Sequence, residues 1–193
     1  MLLAIDTSTH YASVGVHDGV RLLAEHTWLA KQEHSRSLLP NIQRLLADAS
    51  GSLADVDTIA VALGPGSFNG LRVGLSTAKG LALARKMQLV GASTLELIAA
   101  EYHLSEVRMN AGRGRVYVWN LGDDPIEGIR IEDGAAEDVV RHAGVLAELG
   151  WQRLSEHRML DASHVQPLYV QAPHITQSAT KQHMNQPADA AAH

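Results

Sequence analysis

The segment Gly64-Pro65-Gly66-Ser67-Phe68-Asn69-Gly70-Leu71-Arg72-Val73-Gly74 decides how this chain is read. It follows an apolar run, Thr58-Ile59-Ala60-Val61-Ala62-Leu63, and leads into a helical stretch from Leu71 to Lys86. Strand, glycine turn and helix in that order aim backbone N–H groups at the helix start, an arrangement suited to a phosphate. The familiar phosphate-binding forms do not follow. A Walker A loop requires Lys-Ser/Thr after its second glycine, whereas Leu71 follows Gly70 and Lys79 lies well inside the helix. A dinucleotide fingerprint requires Gly-x-Gly-x-x-Gly, and Asn69 stands at the third glycine's place.

Other work for these residues is easy to name. Gly64 and Gly66 permit backbone angles that other residues resist, with Pro65 fixing the turn between them. Ser67 reads as a helix N-cap. Beyond it, Gly70, Gly74, Ala78 and Ala82 recur at i+4, a row of small side chains along one helix line. Interior glycines each cost a helix about 1 kcal/mol against alanine, so close packing should offset them. The spacing leaves open whether the row packs inside the subunit or against a partner.

At 193 residues the chain fits one domain or two small lobes. Forty-six per cent of residues are hydrophobic and 19% charged, an ordinary globular balance. The absence of cysteine excludes disulfides, thiolate catalysis and Cys-based zinc sites. A net charge of −5 argues against strong independent binding of nucleic acid. The start, Met1-Leu2-Leu3-Ala4-Ile5-Asp6, does not read as a signal peptide, and no apolar run approaches the ~20 residues of a membrane span. A cytoplasmic location without membrane attachment is expected.

Leu2–Ile5 reads as a buried strand, Ala12–Val16 as a second, and Asp18-Gly19 as a hairpin turn into a third strand, Val20–Trp28. Ser35 or Ser37 caps a helix whose apolar stripe is Leu38, Ile42, Leu45, Leu46 and Ala49, with Pro40 in its first turn. The strand at Thr58–Leu63, the glycine helix and a strand at Gln88–Val90 complete residues 1–92. That order matches one lobe of the actin-like ATPase superfamily. Downstream, a helix capped at Ser93, strands at Glu106–Met109, Arg115–Asn120 and Glu127–Ile131, and a helix from Ala136 to Leu149 suggest a smaller lobe over residues 93–175. Residues 176–193 are polar, Gln-, Ala- and His-rich, and read as a disordered tail.

Asp6-Thr7-Ser8, the glycine motif through Ala82, His34-Ser35, Leu39-Pro40 and Gly91-Ala92-Ser93-Thr94-Leu95 together resemble the TsaB (YeaZ) family. Near the end, Pro167-Leu168-Tyr169-Val170-Gln171-Ala172-Pro173 resembles that family's closing Pro-x-Tyr segment. Departures are Asn69 where threonine is usual, Gln171 where arginine is common, and Asn110-Ala111-Gly112 in place of Asp-Ala-Arg. Arg115 also stands where an acid or amide is usual, and the stretch from Leu95 to Asn110 is short.

The resemblance implies an α/β protein of the actin-like (ribonuclease H-like) fold, with two lobes and the second reduced. It implies a non-catalytic scaffold with no cofactor, metal or catalytic residue of its own, similar to the catalytic subunit TsaD and paired with it. With a TsaE-like ATPase, the assembly transfers a threonylcarbamoyl group to the adenosine beside the anticodon of tRNAs. Contact with tRNA is expected only through the complex, and a homodimer when the chain is alone. The expected partner interface lies on the two first-lobe helices, at Leu38, Ile42, Leu45, Gly70, Gly74, Ala78 and Ala82. The contrasting reading is a small ATPase or kinase of the same superfamily using Asp6 with Ser8 near the phosphate. A Ser67 nucleophile would need a base that the sequence does not supply, and no two histidines stand four apart as a helical metal pair requires.

Overall fold

The computed structural model describes residues 1–170. Strand β1 (Leu2–Asp6) is buried along its whole length. Its side chains alternate between two cores: Leu3 and Ile5 join one cluster, Leu2 and Ala4 another. An uninterrupted apolar strand of this kind belongs at the centre of a sheet covered on both faces. Strand β2 (Tyr11–His17) pairs antiparallel with β1, and β3 (Leu22–Leu29) antiparallel with β2. On the other side β4 (Thr58–Gly64) runs parallel to β1, and β5 (Gln88–Ser93) parallel to β4. The order is β3-β2-β1-β4-β5.

One face is covered by α1 (His34–Asp48) and α2 (Phe68–Arg85). Leu38, Ile42 and Leu45 of α1 and Leu75, Ala78 and Ala82 of α2 pack with Leu3, Ile5, Ile59 and Val61. Helix α2 starts at the Ser67 cap, whose hydroxyl accepts the Gly70 N–H at 3.3 Å, as its sequence predicts. Helix α1 starts differently. Glu33 is its N-cap, without a side-chain capping bond, so Ser35 and Ser37 are helical and Pro40 falls in the second turn. The Ser37 hydroxyl instead donates to the Glu33 carbonyl and accepts the Trp28 indole N–H.

Helix α3 (Thr94–Tyr102) opens on a capping box between Ser93 and Glu96. A second sheet follows, built from β6 (Glu106–Gly112), β7 (Arg115–Asn120) and β8 (Arg130–Asp133) in that order, all antiparallel. Met109, Tyr117 and Trp119 of that sheet pack on Leu95, Ile98 and Ala99 of α3. Strand β8 begins later than the expected Glu127 because the Asp124 carboxylate accepts the Ile126 and Glu127 N–H groups, which turns the chain there.

Helix α4 (Ala143–Ser155) replaces the helix expected over Ala136–Leu149. It leaves the second sheet and covers the other face of the first, where Ala143, Leu146 and Ala147 pack on Leu2, Ala4, Ala60 and Val90. The boundary expected after residue 92 therefore does not partition the packing, since a later helix completes the earlier sheet. Residues 156–170 then return past the edge strand β5 and the end of β4. The Leu160 N–H donates to the Leu89 carbonyl and the Leu168 N–H to the Leu63 carbonyl, both at 2.7 Å. The tail expected over 176–193, and the last five residues of the expected second lobe, lie outside the described residues.

Candidate functional site: two helix faces and an inter-lobe cleft

The glycine motif is pressed against the loop that follows β1. A Cβ on Gly66 would lie 2.1 Å from the Ser8 carbonyl oxygen, one on Gly70 2.0 Å from that of Thr7, and one on Gly74 2.2 Å from Thr7 Oγ1. The Thr7 hydroxyl donates to the Gly70 carbonyl at 2.8 Å, and the Ser67 N–H donates to the Ser8 carbonyl at 2.7 Å. Gly64 has φ +108°, a conformation that favours glycine. The small-residue row is thus explained within the subunit.

All seven residues expected at a partner interface are buried in the chain itself. Leu38, Ile42 and Leu45 are 0–3% exposed, and Ala78 and Ala82 no more than 2%. Gly70 and Gly74 are buried too. A helical period identifies a covered stripe but not what covers it, and here the cover is the chain's own sheet. The outward faces of the same helices are different. Leu39 of α1 is 50% exposed and Leu83 of α2 60%. A groove of about 360 Å³ runs along α1 to Leu81 of α2, lined by Leu39, Ile42, Gln43, Ala47, Leu53 and Leu81, so the expected residue Ile42 reaches its floor.

Asp6 ends β1 and is 3% exposed. One carboxylate oxygen accepts the Ser8 N–H at 2.8 Å and the Ser8 hydroxyl at 2.6 Å, and the other accepts Arg141 Nε–H at 3.0 Å. Arg141, itself 4% exposed, also donates from Nη2 to Ser8 Oγ at 2.7 Å. Burial pushes the Asp6 carboxyl up, but the Arg141 guanidinium and the Ser8 bonds outweigh it and hold the group below its ordinary range. Both oxygens are therefore engaged by the protein, the reverse of an acid left open to a phosphate-bound metal.

Sequence reading missed Arg141. It sits among Val139, Val140 and Ala143, and nothing local separates it from the exposed arginines. Above the pair lies a cleft of about 320 Å³ between the sheets, lined by Ser8, His10 and Ser67 on one side and Asn110, Tyr117 and Asp138 on the other. The altered segment Asn110-Ala111-Gly112 thus forms part of its wall. Arg113 occupies the left-handed tip of the β6–β7 hairpin. Among the described residues, no cluster of three His, Cys, Asp or Glu side chains is placed to hold a metal. No helix among them is long and apolar enough to cross a membrane.

With this geometry in hand, comparison with known proteins is decisive. Residues 27–185 match the family model described as TsaD, tRNA N6-adenosine threonylcarbamoyltransferase. The tRNA threonylcarbamoyladenosine biosynthesis protein TsaB of Escherichia coli K12 is 40% identical over 99 residues, 51% of this chain and 42% of that protein. The protein of the same name from Buchnera aphidicola is 29% identical over 91% of this chain and 90% of its own length. A solved structure, YeaZ from Pseudomonas aeruginosa, superposes with a TM-score of 0.72 at 25% identity, covering 88% of this chain and 99% of that one.

The chain belongs to the TsaD-type family, on its TsaB (YeaZ) branch. The TsaB-type fold is the actin-like, ribonuclease H-like one, and the central five-stranded sheet is its first half. In this TsaB-type chain the family's glycine motif builds the junction between α2 and the β1 loop.

Proposed function

We propose that the chain is a non-catalytic subunit of the machinery that places a threonylcarbamoyl group on the adenosine beside the anticodon of tRNAs. It pairs with a TsaD-type catalytic subunit through the outward faces of α1 and α2. The observation that carries this reading is the apolar groove of Leu39, Ile42, Leu53 and Leu81, which α1, the turn at Leu53 and one residue of α2 build together, with Leu39 half exposed at its rim. A TsaE-like ATPase joins the assembly, tRNA is met through the complex, and the same helix faces pair isologously when the chain is alone. The complex works in the cytoplasm. The contrasting ATPase or kinase reading loses its acid, because Asp6 is already paired with Arg141.

The test is reconstitution on unmodified tRNA with threonine, bicarbonate, ATP and the other pathway proteins, with and without this chain. Modification should appear only when the chain is present. Leu39→Glu should leave the stability unchanged within about 0.5 kcal/mol, as surface substitutions do, and abolish co-sedimentation with the TsaD-type subunit. Retained pairing at unaltered affinity would overturn the assignment of this face. Stoichiometric ATP binding by calorimetry, lost in Asp6→Ala, would restore the enzymatic reading.

A further inference from the structure

Residues 139–144 are tied to both sheets and to α3. Val139 packs in the core of the second sheet. The Val140 carbonyl accepts the Tyr102 hydroxyl of α3 at 2.6 Å. The Glu101 carboxylate of α3 meets His142 twice, at its N–H (3.2 Å) and its Nδ1 (2.7 Å). The next two amides turn to the first sheet: Ala143 N–H donates to Ser13 Oγ at 2.9 Å and Gly144 N–H to the Glu25 carboxylate at 2.8 Å. Arg141 stands between these two sets, reaching Asp6 and Ser8 at the end of β1. Asp138, just before the segment, forms part of the wall of the inter-lobe cleft.

We infer that this segment is a latch, with Arg141 as an internal cation that fixes the two sheets at one relative angle without any ligand. A buried ion pair is a poor source of stability compared with well-packed apolar groups of similar volume. What it supplies is uniqueness. The guanidinium is satisfied only where the Asp6 carboxylate and the Ser8 hydroxyl converge, so any other seating of the connector strands a buried charge. In two-lobed proteins that close on a ligand, the ligand bridges the lobes and its departure frees the hinge. Here the bridge is covalently part of the chain. The inter-lobe cleft accordingly keeps one width, whatever is seated on the outward faces of α1 and α2. The latch does not depend on that partner assignment, because it rests on contacts within one chain.

The chain has no cysteine, so introduced pairs label cleanly. Exposed Gln43 on α1 and Asp133 at the end of β8, both changed to cysteine, report the angle between the sheets. Gln43 with Ala84, both on the first lobe's helices, serve as control. Pulsed electron resonance on the spin-labelled parent should give one narrow inter-lobe distance. Arg141→Gln should broaden or split it and leave the control distance alone. The paired variant Asp6→Asn with Arg141→Gln removes both charges and should broaden it as well. A narrow, unshifted inter-lobe distance in a folded variant overturns the latch.

A measurement on the unaltered chain decides the matter where neither variant folds. The amide hydrogens of Ser8, Ala143 and Gly144 should exchange through one shared opening, faster than the amides of β1. Three unrelated protection factors would overturn the proposal. In a folded Arg141→Gln, the protection of Ala143 and Gly144 should fall at least about a hundredfold.

Discussion

Helices α2 and α4 lie on opposite faces of one sheet and turn small residues toward it, yet they are held by different means. Helix α2 is flanked by two neighbouring parallel strands, β4 and β5, through short turns, and its seat is set by connectivity and by Gly70 and Gly74 fitting against Thr7. Helix α4 arrives from another sheet. It brings its own small row, Ala143, Ala147 and Gly150, and a Cβ on Gly150 would lie 2.8 Å from that of Ala60. Packing alone does not choose its entry point. Polar pins do: Ser13 and Glu25 take its first amides, and Asp6 takes Arg141 just upstream. A helix delivered by its neighbours in sequence is positioned by shape, and one delivered from a distance is positioned by charge.

The largest effect should come from breaking a pin. Arg141→Gln leaves the Asp6 carboxylate buried and unpaired, and should cost about 3–5 kcal/mol in urea denaturation. Replacing both partners by apolar residues, Asp6→Leu with Arg141→Met, should cost far less. The pH dependence should also change sign. In the unaltered protein the Asp6 carboxyl is held low, so its contribution is full above the ordinary carboxylate pKa of about 3.9 and lost as pH falls through the lower folded value. Without Arg141 burial dominates and raises the folded value. The Arg141→Gln variant should then melt at higher temperature as the buffer goes from about pH 8 to about pH 5. A melting curve that moves the other way would show the carboxylate paired by something else.

A methyl group placed at each small-residue row should be felt next. Gly74→Ala forces Thr7 Oγ1 away from its bond to the Gly70 carbonyl, and Gly150→Ala pushes α4 from Ala60. Each should destabilise by about 1–3 kcal/mol, as overpacking does, with Gly74→Ala the costlier of the two. Equal costs would mean that both helices are seated by shape after all. The smallest effect should be a gain. Gly80 on α2 faces open space, with no atom within 4 Å of a built Cβ. Gly80→Ala should therefore stabilise by about 0.5–1 kcal/mol through helix propensity alone, measurable as a higher melting temperature.

The first five strands, the Ser67 and Ser93 caps and both helices between them were legible because each rests on local signals: apolar runs, turn residues and capping hydroxyls. Helix α4 was misplaced by seven residues at its start. Nothing in Ala136-Glu137-Asp138-Val139-Val140-Arg141 announces that the chain must stay out of a helix there, because the acceptors that hold it are Asp6 and Ser8. The residues expected at a partner interface raise a related point. Leu38, Ile42 and Leu45 do form a covered stripe, but periodicity is blind to the identity of the cover. Exposed Leu39 and Leu83 stand one place away from expected contacts, and only the folded chain separates the inward face from the outward.

The return of residues 156–170 past β5 and the end of β4 has a consequence for how the protein is made. A ribosome releases the N-terminal strands first, so a nascent chain of residues 1–140 holds a sheet with one bare face and one open edge. The bare face waits for α4, the edge strand at Leu89 waits for Leu160, and the end of β4 at Leu63 waits for Leu168. Unpaired edges recruit other chains. A stretch that emerges late is thus what closes the first lobe, and severing the chain at residue 92 would leave a half that cannot finish itself.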